Sequence, residues 1–400
     1  MSYSIQHIAQ IIQSSHIPES TAIIDFLLTD SRKISFPNTS LFFALTGQRR
    51  DGHAFIEEAY HQGVRFFVVD EKYIETAFSN SIFLKVPNVL AALQQLATYH
   101  RKQFSIPVIG ITGSNGKTIV KEWLYQLLQD ELNIVRSPRS YNSQIGVPLS
   151  VWQLQPQHSL AIFEAGISTV NEMHLLSKII QPTLGILTNI GEAHKEGFIN
   201  DEQKLIEKLQ LFNKAKTLVY SIDHTISILN IEANKATLFN QEIELVGWSR
   251  QEKKASLFIT NEIKQLQSTA ISLRYQSQTY TCTIPFTDSA SVDNAITCIA
   301  TLLSLKIPFH QIEKKLSRLQ PVEMRLQLKK AIHNAYIIND SYSNDISSLN
   351  IALDYLQQQS GGEKSTVILS DILQSGLPDK ELYHLVIQAL VQRKIQHFIG

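Results

Sequence analysis

Apolar residues in this chain fall into short continuous runs broken by polar turns, and into longer stretches with helical spacing. The runs at 40–45 and 65–70 read as buried strands, and 55–60 between them reads as a helix. A small α/β unit is therefore predicted over residues 1–86, closed by Val86-Pro87-Asn88. Residues 89–104 carry Val89, Leu90, Leu93, Leu96 and Ala97 at helical spacing. Strands are then predicted at 107–112, 160–165, 183–189 and 218–222, with helices at about 117–129 and 201–212. Such alternation predicts a parallel sheet covered by helices, with its ligand site at the carboxyl ends of the strands.

The pattern changes over 245–285, which is β-rich, and a helix is predicted at about 292–305. Near Pro321 the α/β rhythm restarts, with strands at 336–340 and 366–370 and helices at 349–357 and 381–393. His397-Phe398-Ile399-Gly400 reads as a third strand just begun, so a parallel-sheet domain there is expected to be incomplete. The expected division is 1–86, 87–318 and 319–400, three α/β domains. At 400 residues the chain is long enough for that without staples.

Composition narrows the classes. Lys plus Arg and Asp plus Glu both number 36, so no global field draws in nucleic acid. Hydrophobic residues at 44% exclude a disordered chain. Two cysteines, Cys282 and Cys298, make no disulfide framework, and a reducing compartment is expected. No signal peptide and no apolar run long enough to span a membrane are evident. A cytoplasmic protein is the expectation.

The informative segment is Gly110-Ile111-Thr112-Gly113-Ser114-Asn115-Gly116-Lys117-Thr118, between a predicted strand and helix. Glycines let backbone N–H groups face a polyphosphate, the helix N-terminus adds positive potential, and Lys117 adds a charge. The Thr118 hydroxyl is placed for Mg²⁺. The usual phosphate loop has its first glycine where Ile111 stands, and here the glycine falls one earlier, at Gly110. Incidental glycines at a strand–helix junction are the bland alternative, which the conjunction of strand, loop, Lys-Thr pair and helix disfavours. Glu164 ends the next predicted strand and His194 follows the one after, so three successive strand ends carry Lys-Thr, Glu and His. Taken singly, Glu164 could be a solvated strand end and His194 a structural histidine. Lys204 and Lys208, one helical turn apart, read as a solvated face as readily as a site.

The segment Thr112 to Thr118 resembles the ATP loop of the Mur ligases, the amino-acid ligases of peptidoglycan synthesis. The resemblance implies a three-domain fold with a small N-terminal α/β domain, a central parallel-sheet ATPase domain and a C-terminal Rossmann-like domain. It implies that Gly113, Asn115, Gly116, Lys117 and Thr118 hold ATP, that Thr118 and Glu164 hold one Mg²⁺, and that His194 holds a second. It implies that Lys208 is carbamylated and bridges to the metal. Asn294 matches the asparagine that contacts adenine, although Ala290-Ser291 stand where His-Asn is common. Asp30-Ser31-Arg32 and the stretch with Asp51 and His53 resemble UDP-sugar-binding segments. Asn142 matches a substrate-contacting asparagine, with Ser143 replacing the second one.

Arg325 and Asn339-Asp340-Ser341-Tyr342-Ser343-Asn344 resemble the third domain of the branch that adds D-alanyl-D-alanine, where Arg325 would approach the phosphates and Asp340 the ribose. Asp345-Ile346 replaces the usual Asn-Pro there. The resemblance thus implies UDP-N-acetylmuramoyl-tripeptide and D-alanyl-D-alanine as substrates, joined through an acyl phosphate. The wording at 338–342 and 368–373 is similar to a subgroup in which the ligase precedes an alanine racemase on one polypeptide. Another Mur-type or folylpolyglutamate-type ligase, a phosphotransferase that forms no amide, and a module that binds nucleotide without turnover remain open.

Overall fold

A computed structural model describes residues 1–47, 50–74, 78–191, 195–239, 241–361, 363–373 and 375–400. The chain divides into two compact units. One comprises Met1–Ile106, Val135–Phe163 and Lys178–Ile180, the other Pro107–Ile134, Glu164–Ser177 and Gln181–Gly400.

The first unit is built on a four-stranded parallel sheet, in spatial order Phe26–Leu28, Ser40–Phe43, Phe66–Asp70 and Ile82–Val86. The central strands are apolar on both faces because both are covered. Leu41, Phe43, Val68 and Leu84 point into one core with Ile5, Ile8, Leu93, Leu96 and Trp152. Their neighbours Phe42, Phe67, Val69 and Phe83 point into the other with Ile56 and Ala59. The helix Val89–Arg101 starts where Asn88 accepts the Ala91 N–H. It buries His100, whose ring lies between Tyr3 and the Leu154 carbonyl.

The second unit carries seven adjacent strands in the order Gln278–Ile284, Thr269–Tyr275, Leu257–Lys264, Glu244–Ser249, Thr217–Ser221, Leu184–Leu187 and Val108–Thr112. Pairing is parallel from Val108–Thr112 as far as Leu257–Lys264 and antiparallel for the last two, so the β-rich stretch extends the sheet as a meander. Ala165 donates to the Ile111 carbonyl, which sets Glu164 beside the end of Val108–Thr112. The helix Ser289–Ser304 is capped by Asp288 and buried on nearly all sides, hence its apolar sequence.

Two expectations are corrected. The strand predicted at 183–189 ends at Leu187, because Thr188 and Asn189 turn their side chains to the glycine loop after Thr112. The strand Tyr336–Asn339 pairs antiparallel with Gln327–Lys330 rather than joining a parallel sheet. The connection between them is too short for a crossover and closes through the Ala331 N–H on the Ala335 carbonyl. The parallel pair is Thr366–Ile368 with His397–Ile399, packed through Val367 with Leu353, Leu382 and Val386 of the last two helices.

His100 makes a measurable signature. Its Nε2 donates to Leu154 and its Nδ1 accepts from Tyr3. Burial lowers its pKa to about 4. Between about pH 6.5 and 4 the unfolded chain binds a proton that the folded chain refuses, so stability falls as pH falls through that window, by up to roughly 3 kcal/mol from this residue. His100→Gln is expected to flatten that part of a melting temperature–pH curve; a slope identical to the parent's contradicts the assignment.

Candidate active site

The strand Val108–Thr112 is buried throughout, and Gly113–Gly116 link it to the helix Lys117–Leu128. Gly113 and Gly116 take φ of 143° and 84°, which side chains rarely adopt. A Cβ on Gly113 would stand 2.0 Å from Thr188 Oγ1, and one on Gly116 2.4 Å from Asn294 Oδ1. The loop is fastened to the neighbouring strand end. Ser114 N–H donates to the Asn189 carbonyl (2.9 Å), Asn115 N–H to Asn189 Oδ1 (2.8 Å), and Thr188 Oγ1 to the Asn115 carbonyl (2.6 Å). The open amides and positive end of the following helix face this loop. Gly110 is not a displaced loop glycine: it lies in the strand, where a Cβ would meet Pro182 at 2.8 Å.

Lys117 Nζ donates to the carbonyls of Gly113 (2.7 Å) and Ser114 (2.8 Å). Burial lowers its pKa to about 8, against the pull of Glu164. Lys208 is buried and donates to the same Gly113 carbonyl at 3.1 Å. Burial, with the ammonium groups of Lys117 and Lys204 nearby, pushes its pKa far down. Thr118 Oγ1 donates to Glu164 Oε2 (3.1 Å), and Lys121 Nζ lies 3.0 Å from Glu164 Oε1. Lys121 and Glu164 are both fully buried. Two hard oxygen donors this close, beside a phosphate loop, fit Mg²⁺, which takes one or two protein oxygens and completes its shell with phosphate and water. Among the described residues no group of three or more His, Cys, Asp or Glu clusters for a metal. His194 lies outside the described residues.

A cleft of about 200 Å³ opens beside the loop, lined among others by Gly116, Ile119, Asn294, Thr297, Arg325 and Asp340. Asn294 is buried on the helix Ser289–Ser304. Arg325 sits between Met324 and Leu326, both with positive φ (60° and 47°), a strained turn that projects it. Its guanidinium donates to Ser343 Oγ (2.8 Å) and Thr118 Oγ1 (3.4 Å) and covers the Tyr342 ring. Asp340 accepts from the Leu326 N–H at 3.1 Å, and burial raises its pKa to about 6. Gly113, Asn115, Gly116, Lys117, Thr118, Glu164, Lys208, Asn294, Arg325 and Asp340 thus all fall in the second unit, around one loop and cleft.

The other expected residues lie in the first unit. Asp30 caps the turn Ser31–Lys33 and grips Arg32 through two side-chain bonds of 2.9 Å, which holds its carboxyl down at about 2. Ser31 donates to Glu58 (2.8 Å). Asp51 caps Gly52–Phe55 and accepts from His53 Nδ1 (2.6 Å), while His53 Nε2 accepts from Asp70 N–H (3.1 Å). Asn142 is half-buried beside Tyr141, whose hydroxyl accepts from Lys33 at 3.3 Å. Asn189, Lys121 and Lys204 were not singled out as site residues from sequence. Lys121 carried a signal: it interrupts the apolar face of its helix beside Val120 and Leu124 and is buried there.

Two family descriptions match segments of this chain. The Mur ligase middle domain matches residues 111–302, and the catalytic domain of the Mur ligase family matches residues 23–104. The UDP-N-acetylmuramoyl-tripeptide–D-alanyl-D-alanine ligase of Bacillus subtilis is 28% identical over 382 residues, covering 93% of this chain and 79% of that protein. The ligase of the same name from Buchnera aphidicola is also 28% identical, over 97% of this chain and 82% of its own. A crystal structure of MurF from Acinetobacter baumannii superposes with a TM-score of 0.84 at 25% identity, covering 100% of this chain and 90% of the other.

The loop geometry has a direct consequence. Gly113→Ala places a methyl group against Thr188 Oγ1 at a φ alanine resists. A loss of roughly 2–3 kcal/mol in unfolding free energy is expected. Unchanged denaturant midpoints contradict the fastening described above.

Proposed function

The chain belongs to the Mur ligase family, and on that premise we propose that it is the ATP-dependent ligase that joins D-alanyl-D-alanine to UDP-N-acetylmuramoyl-tripeptide in cytoplasmic peptidoglycan precursor synthesis. The observation that carries the reading is the 3.1 Å contact of Thr118 with Glu164 beside the glycine loop, in a chain that aligns along 93% of its length with such a ligase. No helix among the described residues is long and apolar enough to cross a membrane.

A carboxylate is a poor electrophile, so the reading has its oxygen attack the terminal phosphorus of ATP, releasing ADP and leaving an acyl phosphate. The dipeptide amine then attacks the acyl carbon and loses a proton, and the C–O bond to phosphate breaks. Lys117 and the loop amides would offset charge on the phosphoryl group. Thr118 and Glu164 would hold Mg²⁺, which when bound neutralises phosphate oxygens. In this reading His194 holds a second ion. Asn294 contacts the base, Asp340 the ribose and Arg325 the phosphates. Burial favours the neutral amine of Lys208, the form that would add CO₂, and its carbamate would supply a further anionic oxygen. Asp30, Ser31, Arg32, Asp51, His53 and Asn142 are assigned to the UDP-sugar substrate, with 1–86, 87–318 and 319–400 as the functional segments. Pairing with an alanine racemase on one polypeptide rests on the wording at 338–342 and 368–373.

Phosphate release in the presence of ATP, Mg²⁺, the UDP-tripeptide and D-alanyl-D-alanine, omitting each in turn, tests the whole reading. Release that needs all four, with a new amide by mass, is expected; phosphate transferred to an acceptor hydroxyl instead points to a phosphotransferase. Lys117→Ala should lower turnover by about a hundredfold or more. Lys208→Ala should lose activity that short carboxylic acids partly restore. Near-normal turnover in the first, or an unrescued second variant that still binds metal, contradicts the respective role.

A further inference from the structure

Arg325 reaches the helix Lys117–Leu128 at the end of a strap of chain that follows the helix Phe309–Leu316. Three contacts fasten the strap along that helix. At the far end Lys315 Nζ donates to the Leu127 carbonyl (2.9 Å), in the last turn where the helix leaves carbonyls open, and to both carboxylate oxygens of Glu131 (2.6 Å each). In the middle the Gln320 carbonyl accepts from the Trp123 indole N–H (3.0 Å) and from Gln126 Nε2 (3.4 Å), while the Gln320 N–H donates to Gln126 Oε1 (2.8 Å). At the near end Arg325 donates to Thr118 Oγ1 (3.4 Å). The strap therefore runs from the last turn of the helix to the first. Trp123 and Gln126 stand three residues apart and so share a helix face. Trp123 is buried against Phe286, with ring centroids 4.7 Å apart, and Gln320 supplies the partner that its buried N–H needs. The Gln320 side chain turns away to the Arg318 carbonyl (3.0 Å), so the contact is to backbone and Trp123 and Gln126 specify it. Beyond this anchor the chain has little slack. Pro321 fixes its own φ, the Arg325 N–H closes a turn on the Val322 carbonyl (3.2 Å), and Asp340 holds the Leu326 N–H (3.1 Å). Where Gln320 is pinned thus sets where the Arg325 guanidinium stands.

Resting on the nucleotide reading, we propose that Gln126 and Trp123 are positioning residues of this active site: by pinning the Gln320 backbone to the helix that opens at the glycine loop, they hold Arg325 at the phosphate end before nucleotide arrives. A long, flexible side chain loses freedom when it is ordered by a ligand, and a strap already fixed lowers that cost.

Calorimetric binding of a β,γ-methylene ATP analogue with Mg²⁺ to the parent chain, Gln126→Leu, Arg325→Gln and the double variant tests this. Gln126→Leu is expected to weaken the analogue by about fivefold, the worth of about one hydrogen bond, but by less than about twofold once Arg325 is already glutamine. Trp123→Phe keeps the ring against Phe286 and loses only the N–H, and should follow Gln126→Leu in both backgrounds. Equal loss in the two backgrounds, or no loss in either, overturns the proposal and leaves Gln126 and Trp123 with packing roles alone. Loss in Trp123→Phe without loss in Gln126→Leu overturns the part given to Gln126. An Arg325→Gln variant that binds as tightly as the parent overturns the phosphate role of Arg325, and a parent that binds no analogue overturns the nucleotide reading. Each of these takes the proposal with it and is recognised before the double variant is made.

Discussion

The close approach of backbone to side chain at Gly113 is the constraint on which the site depends. No Cβ fits between this residue and Thr188, and its φ lies outside the range that side chains favour. That approach lets Thr188 and Asn189 hold the loop through three hydrogen bonds. It also leaves the Gly113 carbonyl pointing at two lysines, Lys117 and Lys208. The strand register delivers the rest. Val108–Thr112 pairs in parallel with Leu184–Leu187, Thr112 opposite Leu187, so the loop and the Thr188–Asn189 turn leave the sheet at one level. A parallel sheet ends its strands on the same edge, and function collects there.

Much of this was legible in sequence because it follows from pattern. Continuous apolar runs marked the buried strands, and Val120, Trp123, Leu124 and Leu127 marked the helix after the loop. Glycines beside a Lys-Thr pair marked the loop proposed to hold phosphate. What escaped were residues whose role depends on long-range placement. Asn189 looks like a polar strand end until its side chain is seen accepting from Asn115, 74 positions away. Lys204 and Lys208 have the spacing of a solvated face; the resemblance picked out Lys208, but only the fold shows that face turned inward. Gly110 misleads for the opposite reason: it belongs by sequence to the loop and by contact to the packing against Pro182.

The C-terminal stretch shows where periodicity stops being informative. Strand and helix positions there followed the pattern, but pairing did not. A short connection decides between hairpin and crossover, and Ala331–Ala335 admits only the hairpin. The same hairpin has a local use. It carries Asp340 at its end, and the Leu326 N–H that Asp340 accepts keeps Arg325 in its strained turn, within reach of Thr118.

The charge arrangement ties stability to function. Lys117, Lys121, Lys204 and Lys208 lie close to one loop, and the buried Glu164 is paired with Lys121. Burial is the main cause of the lowered pKa values of Lys117 and Lys208, and neighbouring cationic groups add to it. A core selected for stability alone would fill these positions with apolar side chains. Retaining lysines beside this loop makes sense where a substrate brings negative charge to it. Binding a polyphosphate then relieves repulsion already built into the fold, so ligand affinity and folding stability draw on the same electrostatic term. These lysines are accordingly where a bound phosphate would be felt most. In this chain they gather at the Gly113 end of the loop.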